Sequence, residues 1–178
     1  PTKIGSAVYL ACSLILFGVS AAYHRFYWAP RWEIMWKRLD HSNIFLLIAG
    51  TYTPITIALL DRSDAAVLLS VVWGGAIAGI LLNLFCPTAP RWLTTLVYVA
   101  LGWVAVWYLP QLWAGGGPIV VWLIVAGGVL YTLGAVVYGT KKPDPSPTWF
   151  GFHEIFHAFT VAAWACHCVA VYLAVLAS

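Results

Sequence analysis

Residue types that can carry chemistry are sparse in this chain and fall in three places. His153 and His157 are four residues apart, a spacing that puts two imidazoles one above the other on one helix face. Two rings in that arrangement can bind one metal ion together, as a bidentate ligand. Ser20 and His24 share the same spacing, so the hydroxyl lies on the face of its histidine. Asp40 adds a carboxylate between these two groups in the sequence.

The composition restricts where such groups can act. The chain has 178 residues, of which 62% are hydrophobic and only 8% are charged. A soluble domain carries roughly 25% charged residues, mostly on its surface. The composition therefore excludes an ordinary soluble enzyme, a nucleic-acid binder and a disordered chain. It predicts an integral membrane protein whose first partners are membrane lipids.

The hydrophobic residues form segments long enough to cross a bilayer, which takes about 20 mostly apolar residues. We predict six spans, at about 4–23, 40–60, 65–85, 92–109, 119–138 and 150–176. Each must be helical, because lipid offers no partner to a backbone amide. Short polar or Pro/Gly-rich pieces separate them, and no long linker is present. The fold class is therefore all-α, a polytopic transmembrane helix bundle, and residues 1–178 form a single transmembrane domain.

Positively charged residues predict the orientation, since cytoplasmic loops are enriched in Lys and Arg. One side of the six-span map holds seven of them: Arg25, Arg31, Lys37, Arg38, Arg91, Lys141 and Lys142. The other side holds only Lys3 and Arg62. The loops at 25–39, 86–91 and 139–149 are therefore expected to face the cytoplasm, and both ends of the chain to face out.

This orientation brings the chemical groups to one membrane depth. His24 arrives at the cytoplasmic end of the first span, Asp40 opens the second, and His153 and His157 lie in the first turns of the last. Three imidazoles with an open fourth position describe a catalytic zinc site, where zinc lowers the pKa of a bound water to about 7. Asp40 would hold or deprotonate that water, or hydrogen-bond a zinc ligand.

The remaining candidates have simpler interpretations. His41 points about 100° away from Asp40 around the helix and is expected to be structural. His167 lies about 15 Å beyond His157 along its helix and is expected to be a satisfied core histidine. The start of the last span also matches H-E-x-x-H, the pattern of zinc proteases in which the Glu is the general base. No later helix offers a third ligand, so Glu154 is expected to favour the helix start instead.

The three motifs together resemble the hemolysin III family, which belongs with the progestin and adipoQ receptors. They are Ser20-x-x-x-His24, Asp40-His41-Ser42-Asn43-Ile44 and His153-x-x-x-His157. The resemblance implies a seven-helix bundle in a bacterial plasma membrane, with a zinc ion on the cytoplasmic side. It implies His24, His153 and His157 as zinc ligands, and Asp40 in contact with the zinc-bound water with Ser20 beside it.

One departure from the family pattern concerns the first helix of the family, which carries an acidic residue, an Asn and a His. No such motif precedes Ser20 here. We expect that a helix preceding Pro1 is missing from this chain by trimming or incomplete coverage.

Three functions compete. The first is a zinc-dependent hydrolase of a lipid amide or ester, as the related alkaline ceramidases suggest. The second is a receptor or regulator in which a structural zinc orders the helices. The third is a pore-forming cytolysin, as the family name suggests. The sequence argues against a cytolysin, because the chain has no surface suited to a soluble state.

Overall fold

The computed structural model describes residues 1–86 and 90–178, and nearly all of them are helical. The helices are α1 (Thr2–Arg25), α2 (Pro30–Leu59), α3 (Arg62–Phe85), α4 (Arg91–Gly102), α5 (Leu109–Thr140) and α6 (Phe152–Ala177), with a 3-10 helix (Trp103–Tyr108) between α4 and α5. No strand occurs among the described residues. The chain forms two compact units, Pro1–Pro90 and Arg91–Ser178.

Five helical segments in the described part of the chain are long and apolar enough to cross a membrane, whereas the sequence predicts six spans. The first, second, third and last predicted spans each correspond to one helix. The fourth and fifth both fall within one apolar stretch of 49 residues, Trp92–Thr140. The all-helical membrane bundle is confirmed, and the number five counts the fourth and fifth predicted spans as one continuous helical stretch.

The long stretch folds back at Gly117. This glycine has φ 75° and ψ 177°, a conformation that residues with a Cβ rarely adopt, and Pro118 follows it. A straight helix of this length would extend about 74 Å, more than twice the hydrocarbon thickness of a bilayer. Instead, Trp103 Nε1 donates a hydrogen bond of 2.9 Å to Thr132 Oγ1. The two arms on either side of Gly117 therefore lie side by side, as two antiparallel crossings must.

Helix α2 begins earlier than the sequence predicts. The predicted loop at 25–39 is short, because α1 continues to Arg25 and α2 starts at Pro30, where a proline suits the first helical turn. Asp40 consequently lies ten residues into α2 and does not open it, which corrects the expected placement. Of the predicted loop at 86–91, residues 87–89 lie outside the described part of the chain.

In the unit Pro1–Pro90, α2 packs against both α1 and α3. Small residues allow these close contacts. A Cβ on Gly50 would lie 2.6 Å from the Cβ of Cys12, and the ring of Phe45 occupies the space beside Gly79. Trp73 Nε1 of α3 adds a 3.1 Å hydrogen bond to the hydroxyl of Thr53 in α2. The buried side chains in the described part of this unit are mostly apolar, and six Ser, Thr and Asn side chains are buried among them.

Helix α3 begins with a side-chain cap outside the membrane-spanning segments. One carboxylate oxygen of Asp61 accepts hydrogen bonds of 2.9 Å from the backbone amides of Ser63 and Asp64. The bond from Asp64, and then those from Ser63, hold the pKa of the Asp61 carboxyl below its ordinary value. The connection between α2 and α3 can therefore be very short, because Asp61 supplies the partners that the first turn lacks.

In the unit Arg91–Ser178, α5 packs against α6 along most of its length. Two glycines of α5 make this approach possible. The ring of His167 lies against Gly127, and a Cβ on Gly134 would lie 3.0 Å from the Cβ of Phe159. The start of α6 is thereby held against the end of α5.

We expect Gly50→Ala to lower the free energy of unfolding by about 1–3 kcal/mol, because the added methyl would overlap Cys12 in a packed interior. Thermal unfolding of the purified protein in detergent measures this. Gly74→Ala is the matched control, since no atom lies within 4 Å of the position of its Cβ. Equal stability of both variants would contradict the packing described here.

Candidate metal centre

The first turn of α6 positions two of the predicted ligands. Two carboxylates satisfy amides that the helix itself cannot pair. Asp144 Oδ1 accepts from the backbone N–H of Phe152 at 3.0 Å, and Glu154 Oε2 accepts from that of Gly151 at 2.9 Å. The role expected for Glu154 at the helix start is confirmed. The sequence analysis missed Asp144, whose only signal is an acidic residue in the proline-rich connection before the helix.

His153 and His157 stand on the same face of α6, as their spacing predicts. Their Nε2 atoms are 3.1 Å apart, and the ring planes are inclined by 84°. Two nitrogens bound to one tetrahedral zinc at about 2.0–2.1 Å would be separated by about 3.3–3.4 Å. The observed separation of 3.1 Å also suits a hydrogen bond in which one neutral ring donates to the other. The pair is thus shaped for either a shared metal ion or a shared proton.

Aromatic rings surround this pair. The ring of Phe156 lies 5.4 Å from that of His157, and the ring of Tyr138 at the end of α5 lies 6.2 Å from that of His153. Both histidines are half-buried. Apolar rings beside the two histidines limit the access of water and strengthen electrostatic interactions between the groups that they cover.

His24 lies in the last turn of α1 and is exposed. His24 belongs to the unit Pro1–Pro90, whereas His153 and His157 belong to the unit Arg91–Ser178, so His24 as the third ligand stays a prediction of the sequence analysis. All three donors are imidazole nitrogens, which suit zinc.

Ser20 and Asp40 are related by the packing of α1 on α2. Gly5 lies against Pro54, and Cys12 lies against Gly50, so the two helices are antiparallel. This antiparallel packing directs the end of α1 that carries Ser20 towards the part of α2 that carries Asp40. His24 follows one turn later on α1, about 6 Å along the axis. The Asp40 side chain is only 12% exposed.

The residues that follow Asp40 are polar and mostly buried. His41 Nδ1 donates to the backbone oxygen of Lys37 at 2.8 Å, which confirms its structural role. Ser42 and Asn43 are 3% and 8% exposed. Within the described residues, neither Ser42 Oγ nor Asn43 Nδ2 has a hydrogen-bond partner. This turn of α2 therefore concentrates polar atoms that the surrounding chain does not satisfy, a feature that the sequence analysis did not single out.

His167 lies between α5 and α6, far along the helix from His157. Its Nε2 hydrogen-bonds to the backbone oxygen of Ile124 at 3.1 Å, and its ring lies 5.4 Å from that of Tyr131. Nδ1 is buried without a hydrogen-bond partner among the described residues. The expected core histidine is thus satisfied at one ring nitrogen only.

Comparison with known proteins shows the family of this chain. The family model described as haemolysin-III related matches residues 2–168. Hemolysin-3 of Bacillus cereus is 31% identical over 177 residues, which cover 98% of this chain and 78% of that protein. The hemolysin-3 homolog of Bacillus subtilis is 34% identical over 127 residues, covering 71% of this chain and 57% of that protein. With its apolar helices, the chain is a multi-pass membrane protein, and it belongs to the haemolysin-III-related family.

Proposed function

We propose that this protein is a zinc-dependent hydrolase that cleaves a lipid amide or ester within a bacterial plasma membrane. The observation that carries the proposal is the pair of His153 and His157, whose Nε2 atoms are 3.1 Å apart. His24 completes the proposed histidine cluster, as the sequence predicts. Three neutral imidazoles leave a fourth position for water or substrate, as in catalytic zinc sites. A zinc ion bound there would supply an acidic water ligand and polarise a carbonyl oxygen.

The neighbouring residues supply the proton chemistry in this proposal. The Asp40 carboxylate is mostly buried, and it accepts the proton of the attacking water. Ser20, on the neighbouring helix α1, lies beside Asp40 in this proposal. Ser42 Oγ and Asn43 Nδ2, which have no hydrogen-bond partner among the described residues, bind polar groups next to the scissile bond of the substrate. The seven-to-two charge bias places this chemistry at the cytoplasmic side.

The surface of the helices fits a lipid substrate. Large apolar side chains are exposed along the spans, among them Leu14 at 65%, Val161 at 51% and Tyr172 at 63%. In a bilayer these side chains contact acyl chains, and a lipid can reach the histidines from the membrane. The name hemolysin of the relatives suggests lysis instead. A soluble form of this chain would expose these same residues to water, which favours the hydrolase.

The first prediction concerns the metal. We expect about one zinc per chain in the purified protein and almost none in His157→Ala, because two remaining histidines hold zinc weakly. Metal content measured by mass spectrometry of the element checks this. His41→Ala is the matched control and should retain zinc, since His41 bonds its own helix backbone. Wild-type protein without a stoichiometric metal would refute the site.

The second prediction separates catalysis from structure. We expect Asp40→Asn to keep its zinc and to lose at least a hundredfold in the hydrolysis rate of a fluorescent N-acyl sphingosine, because an amide is not a base. Asp64→Asn, in the first turn of α3, is the control and should keep both. Loss of zinc together with activity would make Asp40 a direct ligand and favour a receptor with a structural metal.

The third prediction concerns Glu154, the residue that a protease of the H-E-x-x-H type would use as its base. We expect Glu154→Gln to retain zinc and hydrolysis, because the amide oxygen still accepts from Gly151. Glu154→Ala should lower the free energy of unfolding by about 1 kcal/mol, as lost helix caps do. An inactive Glu154→Gln variant that holds its zinc would assign the base to Glu154 and remove Asp40 from that role.

A further inference from the structure

Helix α2 is longer than a membrane requires. Its 30 residues extend about 45 Å, whereas the hydrocarbon core of a bilayer takes about 20 residues and 30 Å. The polar end is the N-terminal one, because the charged residues Arg31, Glu33, Lys37 and Arg38 all precede Asp40. The first turns of α2 therefore lie at the level of the lipid headgroups.

One face of these turns combines two arginines with two exposed apolar side chains. Arg31, Ile34, Met35 and Arg38 follow the spacing i, i+3, i+4 and i+7, which places them on one side of the helix. We call these four residues the arginine face. Ile34 is 55% exposed and Met35 is 39% exposed. Apolar side chains between cations are the pattern of a helix that lies against a membrane surface.

Contacts with neighbouring residues hold the arginine face in position without covering it. The guanidinium carbon of Arg31 lies 5.3 Å from the ring centre of Trp32, and Arg38 Nη1 donates to the backbone oxygen of Leu84 at 3.2 Å. Trp36, on the other side of the helix, stacks on Trp28 with ring centres 4.6 Å apart. The tryptophan pair thus anchors the start of α2 through its opposite side, and the arginine face remains at the surface.

The charge of this segment is one-sided. Residues 25–39 contain Arg25, Arg31, Lys37 and Arg38 against the single acidic residue Glu33, a net charge of +3 that equals the formal net charge of the whole chain. Glu33 lies roughly 140–160° around the helix from both residues of the arginine pair. The face therefore presents uncompensated positive charge, which complements a negatively charged headgroup.

We infer that the arginine face binds the headgroup of an anionic phospholipid of the surrounding bilayer. Each planar guanidinium can donate two parallel hydrogen bonds to phosphate oxygens. Ile34 and Met35 contact the upper acyl chains of the same lipid. A net-negative lipid such as phosphatidylglycerol is favoured over phosphatidylcholine, whose ammonium group cancels the phosphate charge. None of the four residues belongs to the histidine cluster, so this site does not depend on the proposed hydrolase.

Native mass spectrometry of the full chain, released from micelles with equal amounts of phosphatidylglycerol and phosphatidylcholine, tests the inference. We expect the wild type to retain phosphatidylglycerol preferentially. Arg31→Gln should reduce that preference about fivefold, the typical effect of one basic residue near an anionic surface. Arg62→Gln is the matched control, because it removes one exposed arginine at the start of α3 and should leave the preference unchanged.

Two further measurements keep the result decisive. Raising the salt concentration from 0.1 to 1 M shortens electrostatic screening from about 10 to 3 Å and should weaken the preference in the wild type. Millimolar inorganic phosphate should leave it unchanged, because the apolar residues need an acyl chain. Equal retention of both lipids, equal effects of the two substitutions, insensitivity to salt, or displacement by phosphate would each overturn the inference.

Discussion

The constraint on which the structure depends is that lipid cannot hydrogen-bond to a polar group. Every backbone amide must find its partner within the chain, so the apolar segments are helices. Hydroxyl side chains obey the same constraint. Thr51, Thr53, Thr132 and Thr160 each donate to a backbone oxygen four residues earlier in their own helix. Most polar side chains in the spans therefore have a hydrogen-bond partner within their own helix and are not available for chemistry.

The few polar groups that do not follow this pattern are therefore the informative ones for function. His153 and His157 direct their Nε2 atoms at each other across 3.1 Å, which needs either a proton or a metal ion between them. In the part of the chain that the structure describes, Ser42 and Asn43 each keep a polar atom without a hydrogen-bond partner in the turn after Asp40. A buried polar atom without a partner costs free energy, so a ligand that satisfies several at once is stabilised. The positions of these polar groups are the basis of the proposed hydrolase function.

Close helix packing depends on glycines and on one interruption of the helical stretch, at Gly117. Gly50 admits Cys12, and Gly127 admits the ring of His167, because neither carries a Cβ. Gly117 turns the longest apolar stretch back on itself. The cluster Gly115–Pro118 predicts a break from the sequence, but not that helical hydrogen bonding would resume on both sides of it. The sequence therefore predicts two spans here, but not that one continuous helical stretch contains both.

Composition and spacing alone determined that this protein is a helical membrane bundle, because burial in lipid leaves no other backbone solution. Spacing also determined that His153 and His157 share a face, since helical periodicity is local, and that Glu154 caps the start of α6. Only the tertiary structure decided that Asp40 lies well inside α2 and that α1 packs antiparallel against this helix. Helix ends depend on connections such as the short turn before Pro30, and alignment depends on which small residues meet. Those contacts join residues far apart in the chain, and no local pattern encodes them.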